Sequence, residues 1–133
     1  LPLQHQYYHF LMPIGVDDKL IPWGREGEEL ETKYPYVCHA ELNAILNSNH
    51  NLDGSRLYVT LFPCNECAKA IIQSGIKEII YLSDKYHNST ASEASRRLLE
   101  MAGIKMIKSI FFFFISNHPL FFYQQLYFFF LLP

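Results

Sequence analysis

The stretch RLYVTLFPCNEC, residues 56–67, decides the fold because it runs from a strand directly into a helix. Its first part, Arg56 to Phe62, is rich in β-branched and aromatic residues, which is typical of a buried strand. Pro63 follows where a helix accepts proline in its first turn, and a helix is predicted from about Cys64 to Ser74. Cys64 and Cys67 are three residues apart, so the first turn of that helix places both sulfur atoms on one face.

The alternation of strand and helix continues on both sides of this stretch. Upstream, apolar residues at helical spacing predict a helix that begins near His39. Downstream, Gly75 ends the second helix, and the remaining strand, helix and strand are Ile76 to Leu82, Ala91 to Met101 and Ile104 to Ile107. Apolar strands separated by helices imply right-handed crossovers, so the sequence predicts an α/β protein whose mostly parallel sheet is covered by helices.

Formal charge is confined to the middle of the 133-residue chain. Every Lys, Arg, Asp and Glu lies between Asp17 and Lys108, and the net charge is -2. This balance excludes a strongly basic nucleic-acid binder, so we expect a small-molecule partner, with neither nucleic acid nor membrane. Three cysteines cannot all pair, and residues 1–13 lack the pattern of a signal peptide. We therefore expect a reducing, cytoplasmic location.

The two ends of the chain, before Asp17 and after Lys108, carry no formally charged side chain. Residues 108–133 contain nine of the eleven Phe. A membrane span is the weaker interpretation, because polar residues at 117–118 and 124–125 interrupt the apolar run twice. We interpret residues 108–133 as a tail outside the domain and residues 1–11 as a separate N-terminal segment, both of them translated non-coding sequence.

The sequence contains the residue types of a catalytic zinc site, at His39, Glu41, Cys64 and Cys67. Such a zinc ion takes three protein ligands and keeps the fourth position for water, and one imidazole with two thiolates is such a set. Glu41 lies two residues after His39, and its carboxylate could accept a proton from that water.

Either motif alone is weak evidence. A lone Cys-x-x-Cys also occurs in buried thiols, redox pairs and structural zinc ribbons, and a lone His-x-Glu is less specific still. A closed structural site would need a fourth ligand, but the nearest other histidines, His50 and His87, lie at a helix exit and in a loop. The combination therefore favours the open, catalytic site, and it matches the signature of zinc deaminases.

Two stretches of the sequence resemble the deoxycytidylate (dCMP) deaminases of the cytidine and deoxycytidylate deaminase family. They are residues 32–45, TKYPYVCHAELNAI, and residues 57–69, LYVTLFPCNECAK. Residues 83–87 and 101–104 resemble them too, as does the loop that contains residues 17–19 and 22–23. The resemblance covers about residues 12–107, which we take as a deaminase domain truncated at its N-terminal side.

The resemblance implies a cytidine-deaminase-like, three-layer α/β/α fold and hydrolysis of dCMP to dUMP and ammonia, which feeds dTMP synthesis. It implies His39, Cys64 and Cys67 as the ligands of Zn2+, and Glu41 as the proton shuttle. It further implies a homo-oligomer regulated by dCTP and dTTP. Two alternatives stay open: a related zinc deaminase of another cytosine or guanine compound, and an inactive zinc-binding fragment.

The chain departs from the family pattern before Met12. The family has a helix and two strands there, and eleven residues are too few to form them at about 1.5 and 3.3 Å of rise per residue. We therefore expect the first helix and two strands to be missing. The strand Arg56 to Phe62 would then expose an apolar edge.

Further candidates for ligand contact are less specific. Lys85, Tyr86 and His87 follow the carboxyl end of a strand, where α/β sheets bind ligands, although a plain solvated loop is equally compatible. Cys38 and Trp23 are interpreted as packing residues. The arginines considered for holding a phosphate are Arg56, Arg96 and Arg97.

Overall fold

The computed structural model of the chain describes residues 13–110 and 130–132. Its helices are α1 (Ala40–Leu46), α2 (Asn65–Gln73) and α3 (Thr90–Met101), and its strands are β1 (Arg56–Leu61), β2 (Glu78–Ser83), β3 (Lys105–Lys108) and β4 (Phe130–Leu132). Two short 3-10 helices, Asp18–Leu20 and Glu29–Glu31, lie before α1. The predicted helices and strands from α1 to β3 are confirmed, with ends displaced by about two residues or less.

The sheet has the order β3-β2-β1-β4. β1 pairs with β2 and β2 with β3, both in parallel, so that Leu57, Ile79 and Met106 lie side by side. Because both crossovers run in the same direction and are right-handed, α2 and α3 lie on one face of the sheet. The α/β class with a mostly parallel sheet is thus confirmed. Within residues 13–110 and 130–132, α1 contacts α2 and α2 contacts α3. A second layer of helices on the other face of the sheet stays a prediction.

The core lies between the parallel strands and this helical layer. Leu57 and Val59 of β1 and Ile79 of β2 are fully buried, and they belong to one apolar cluster with Ile71 of α2 and Leu99 of α3. Each such aliphatic side chain contributes about 1.5–3 kcal/mol through its removal from water. The strand ends that lead to the functional residues are therefore held by a close-packed interior.

β4 corrects the prediction of an open edge. Its three residues pair antiparallel with Arg56, Leu57 and Tyr58 of β1. The expected exposed apolar edge is therefore wrong over these residues, because backbone from the end of the chain occupies it. Three further predictions fall largely on residues 1–12 and 111–129, which lie outside the described residues. They are the domain limits, the missing N-terminal elements and the interpretations of the tail.

Gly75 joins the end of α2 to the turn that precedes β1. It has a positive φ of 83°, and its carbonyl accepts a hydrogen bond of 2.9 Å from the Gly54 N–H. A Cβ atom at this position would lie 2.7 Å from Asp53 Oδ1. Both the backbone conformation and the available space therefore require glycine. No helix within the described part of the chain is long and apolar enough to cross a membrane.

Candidate metal centre and active site

Two of the helices begin at a residue of the predicted metal site. His39 is the N-cap of α1 and Cys64 is the N-cap of α2, and neither side chain makes a capping hydrogen bond. By contrast Ser89, the N-cap of α3, accepts a hydrogen bond from the Ser92 N–H. The imidazole and the thiol are thus not used for capping, and they lie beside each other instead.

The side chains of His39, Cys64 and Cys67 converge on a common centre. His39 Nδ1 lies 3.4 Å from Cys64 Sγ and 3.4 Å from Cys67 Sγ. All three potential ligand atoms lie within 4.8 Å of one another. A tetrahedral zinc ion, with bonds of about 2.0 Å to nitrogen and 2.3 Å to sulfur, would hold its nitrogen and sulfur ligands about 3.5 Å apart. The residues present therefore fit a zinc ion with one further coordination position.

The pKa values of His39, Cys64 and Cys67 depend on one another, because the three side chains are hydrogen-bonded. The hydrogen bond from Cys67 lowers the pKa of the Cys64 thiol to about 3. The same hydrogen bond, together with burial, raises the pKa of Cys67, and the hydrogen bond to Cys64 raises the pKa of His39. The cluster therefore holds protons that a metal ion would displace, as expected for a set of metal ligands.

Glu41 lies in the first turn of α1, directly beside this cluster. Its Oε2 atom is 3.5 Å from Cys67 Sγ. Burial raises the pKa of the Glu41 carboxyl. A carboxyl group with a raised pKa binds a proton more readily than an ordinary carboxylate does, which suits a group that must both accept and release one.

A cavity of about 360 Å³ opens next to the cluster, at the carboxyl ends of β1 and β2. Ligands of α/β proteins bind at this end of the sheet. Its wall includes His39, Glu41 and Cys64, together with the end of β1 and the segment that follows β2. A small molecule in this cavity would therefore contact both the metal cluster and the carboxyl group.

Asp84 supports the wall of the cavity after β2. Its carboxylate forms an ion pair with Arg96 of α3. The guanidinium carbon of Arg96 lies 4.2 Å from the centroid of the Phe62 ring, and that ring packs edge-on against Tyr81. One helix thus holds the ends of two strands at the cavity.

The three arginines considered for phosphate are each paired with an acid. Arg56 forms an ion pair of 2.6 Å with Glu78, Arg96 pairs with Asp84, and Arg97 pairs with Glu93. Arg56 also lies at the amino end of β1, opposite to the cavity. These contacts argue against all three as phosphate ligands.

The other candidates divide between the cavity and the surrounding loops. Lys85, Tyr86 and the half-buried thiol of Cys38 line the cavity. His87 instead lies 3.1 Å from the Asp84 carbonyl oxygen, and the Trp23 indole N–H donates to the Asp18 carbonyl at 2.8 Å. Both of these contacts lie within the residue's own loop.

Among the residues of the cavity wall that sequence reasoning missed are Arg25, Lys33 and Tyr34. They belong to a segment without helical or strand periodicity, so no pattern in the sequence indicates which side chains face inward. For Lys33 and Tyr34 the signal was the resemblance of residues 32–45 to the dCMP deaminases, whereas for Arg25 it was only the position of its segment before His39 in the chain.

Residues 16–83, just over half of the chain, match the family model of the cytidine and deoxycytidylate deaminase zinc-binding region. That segment contains His39, Glu41, Cys64 and Cys67. The chain belongs to this deaminase family. The resemblance identified from the sequence is thereby confirmed.

Individual deaminases agree with this assignment. The chain is 58% identical to the deoxycytidylate deaminase of Homo sapiens over 101 residues, which are 74% of this chain and 57% of that protein. It is 50% identical to a probable deoxycytidylate deaminase of Drosophila melanogaster over 105 residues, covering 74% of this chain and 52% of that protein. The chain therefore spans about half the length of these curated relatives.

The crystal structure of dCMP deaminase from the cyanophage S-TIM5 in complex with dCMP and dUMP has a similar fold. The two share a TM-score of 0.55 and 28% sequence identity, over 74% of this chain and 68% of the phage chain. This likeness confirms the cytidine-deaminase-like fold of this family member.

Proposed function

We propose that this family member catalyses the zinc-dependent hydrolysis of dCMP to dUMP and ammonia. The observation that carries the proposal is the convergence of His39, Cys64 and Cys67 beside the Glu41 carboxyl, at the wall of a ligand-sized cavity. The deoxycytidylate deaminases to which the chain is similar support dCMP as the substrate.

In this proposal His39, Cys64 and Cys67 hold the zinc ion. A bound zinc ion lowers the pKa of water toward neutrality and so supplies a nucleophile. Glu41 accepts the proton of the attacking water and passes it to the ring nitrogen of the cytosine. It then takes up the remaining proton of the added hydroxyl group and transfers it to the amino group, so that the C–N bond breaks, ammonia leaves and the ring carbon keeps a carbonyl oxygen. The raised pKa of Glu41 suits both transfers.

Substitution of Glu41 by Gln tests this division of roles. Glu41→Gln should retain zinc, because the ligand set is intact, and should lower turnover of dCMP about 10²–10⁴-fold, because the proton shuttle is lost. Zinc content is measured by elemental analysis and turnover by ammonia release. Near wild-type turnover by a zinc-loaded Glu41→Gln sample would contradict the assignment.

Two other functions are separated by the same assay. Ammonia release from cytidine, deoxycytidine or guanine in preference to dCMP would identify a related deaminase. An inactive zinc-binding fragment is the second candidate, and the observation that favours it is that the chain spans about half the length of its relatives. A folded, zinc-loaded chain without deaminase activity would establish it.

Three further parts of the proposal follow from the family resemblance. They are a place in the supply of dTMP, regulation by dCTP and dTTP, and assembly into a homo-oligomer. Light scattering measures the assembly, and dCMP turnover with and without each triphosphate measures the regulation. A monomer that ignores both triphosphates would remove these parts and leave the chemistry at Glu41 unaffected.

A further inference from the structure

Arg96 of α3 contacts two residues of the cavity wall, although it does not line the cavity itself. It forms an ion pair with the Asp84 carboxylate, and its guanidinium group lies over the face of the Phe62 ring. Asp84 and Phe62 both line the cavity. Arg96 therefore lies behind the wall, and it can affect a ligand in the cavity only through these two residues.

Asp84 and Phe62 stand at the ends of two neighbouring strands. Asp84 follows β2, which ends at Ser83, and Phe62 follows β1. The Phe62 N–H donates a hydrogen bond of 2.9 Å to the Ser83 carbonyl, so the two strand ends are joined directly. Arg96 connects both of them to α3, by an ion pair on one side and a cation–π contact on the other.

The Asp84 carboxylate depends on Arg96 for its only charged partner. The Asp84 side chain is 14% exposed, and its Oδ2 atom pairs with Arg96. Its Oδ1 atom is buried and has no hydrogen-bond partner within residues 13–110 and 130–132. A largely buried carboxylate that loses its cation is strongly destabilised. Without Arg96, this carboxylate would therefore turn toward the nearest water, which lies in the cavity that Asp84 lines.

A carboxylate released into the cavity would oppose an anionic ligand. A phosphate monoester is negatively charged at neutral pH. Like charges repel each other more strongly in a partly enclosed cavity than in bulk water, because the effective dielectric constant is lower there. The ion pair with Arg96 removes this repulsion, since it neutralises Asp84 and holds the carboxylate against α3.

We propose that Arg96 is a positioning residue of the active site. It holds the Asp84 carboxylate against α3, and it thereby keeps the cavity able to bind an anionic pyrimidine nucleotide. This inference rests on the proposed function, because it takes the cavity as the nucleotide site. Arg96 itself does not touch the nucleotide, so its loss acts only through the release of Asp84.

The test measures binding of dUMP to the zinc-loaded chain by isothermal titration calorimetry. Arg96→Met keeps a long apolar side chain but removes the charge, and it should weaken dUMP binding about 10-fold, as expected for one uncompensated charge near an anionic ligand. Arg96→Lys keeps a positive charge beside Asp84 and should retain most of the affinity. Zinc content should be that of wild type in both variants, because the ligand set is intact.

A double variant separates the release of Asp84 from a general loss of packing. Arg96→Met combined with Asp84→Asn removes the carboxylate that Arg96 would otherwise hold. It should recover most of the affinity for dUMP that Arg96→Met alone loses. Circular dichroism identifies a temperature at which every variant is folded, and all binding is measured there. A residue that only packs α3 against the strands would give no such recovery.

Arg97→Met is the matched control, because Arg97 is the next residue of the same helix and also pairs with an acid. Arg97 and its partner Glu93 are 72% and 59% exposed, and neither of them lines the cavity. Arg97→Met should therefore bind dUMP as wild type does.

Five results would overturn the inference. They are no dUMP binding by wild type, unchanged binding in Arg96→Met, an equal loss in Arg97→Met, an Arg96→Lys variant as weak as Arg96→Met, and a double variant without recovery.

The outcomes distinguish this inference from the proposed function. A chain that binds dUMP in the Arg96-dependent manner described, but releases no ammonia from dCMP, would retain the inference and lose the function. A chain that releases ammonia from dCMP, and whose Arg96→Met variant binds dUMP as wild type does, would retain the function and lose the inference.

Discussion

The helices α1 and α2 both deliver residues to the metal cluster, but they are held in place differently. α2 buries Cys67, Ala68 and Ile71, the last two completely. α1 has seven residues, none of them buried, and Leu46 is 69% exposed. An isolated helix of this length is not stable in water. The core therefore holds α2, whereas α1 depends on the partly buried Ile45, which packs against the core, on its contact with α2 and, in our proposal, on the metal bound by His39.

Removal of the metal should have the largest effect on the difference in stability between α1 and α2. Zinc at about a thousand times its dissociation constant stabilises the fold by about 4 kcal/mol. A chelator should therefore lower the melting temperature, and it should speed amide hydrogen exchange in α1 more than in α2. Equal acceleration in both helices, or none in either, would contradict the idea that the metal fastens α1 to the core.

Core substitutions should show the next largest effect. Ile71→Ala, in the buried face of α2, should destabilise the fold by about 2–5 kcal/mol, because it leaves a cavity among packed side chains. Leu46→Ala, at the exposed end of α1, should cost about 0.5 kcal/mol or less. Urea unfolding monitored by circular dichroism measures both values. A cost for Leu46→Ala as large as that for Ile71→Ala would mean that α1 is packed as firmly as α2.

The turn that follows α2 should give a smaller effect than the buried core of α2. Gly75→Ala forces a side chain into a positive φ and against Asp53, so we expect a loss of about 2–3 kcal/mol. Gly103→Ala is the matched control, because Gly103 also has a positive φ but open space around it, and about 1 kcal/mol is expected. Equal losses in the two variants would show that the contact with Asp53 adds nothing.

The sequence predicts the parts of the fold that follow a period or a clear stop. The strands and helices from β1 to β3 were predicted because apolar spacing marks them and Gly75 and Gly103 end two helices. The positions of His39 and Cys64 at helix starts followed from the same patterns. These patterns were sufficient to predict that His39 and Cys64 belong to one metal cluster.

Three features could not be read from the sequence. The pairing of β4 with β1 was missed, because the tail around Phe130–Leu132 is uniformly apolar and has no alternation that would set a register. The inward placement of Arg25 and Lys33 was missed, because it depends on a backbone hydrogen bond to Gly24 within an aperiodic loop. Ion pairing of Arg56 with Glu78 and of Arg96 with Asp84 likewise depends on partners that only the fold brings together, whereas Arg97 pairs with Glu93 one turn earlier in the same helix.

The central proposal is that this chain is a zinc-dependent deaminase of dCMP. Its most direct test is the zinc content of the purified 133-residue chain, measured together with its turnover of dCMP. We predict about one zinc ion per chain, as for a three-ligand catalytic site, with dUMP and ammonia formed in equal amounts. A folded sample that binds no zinc and releases no ammonia from dCMP would contradict the claim.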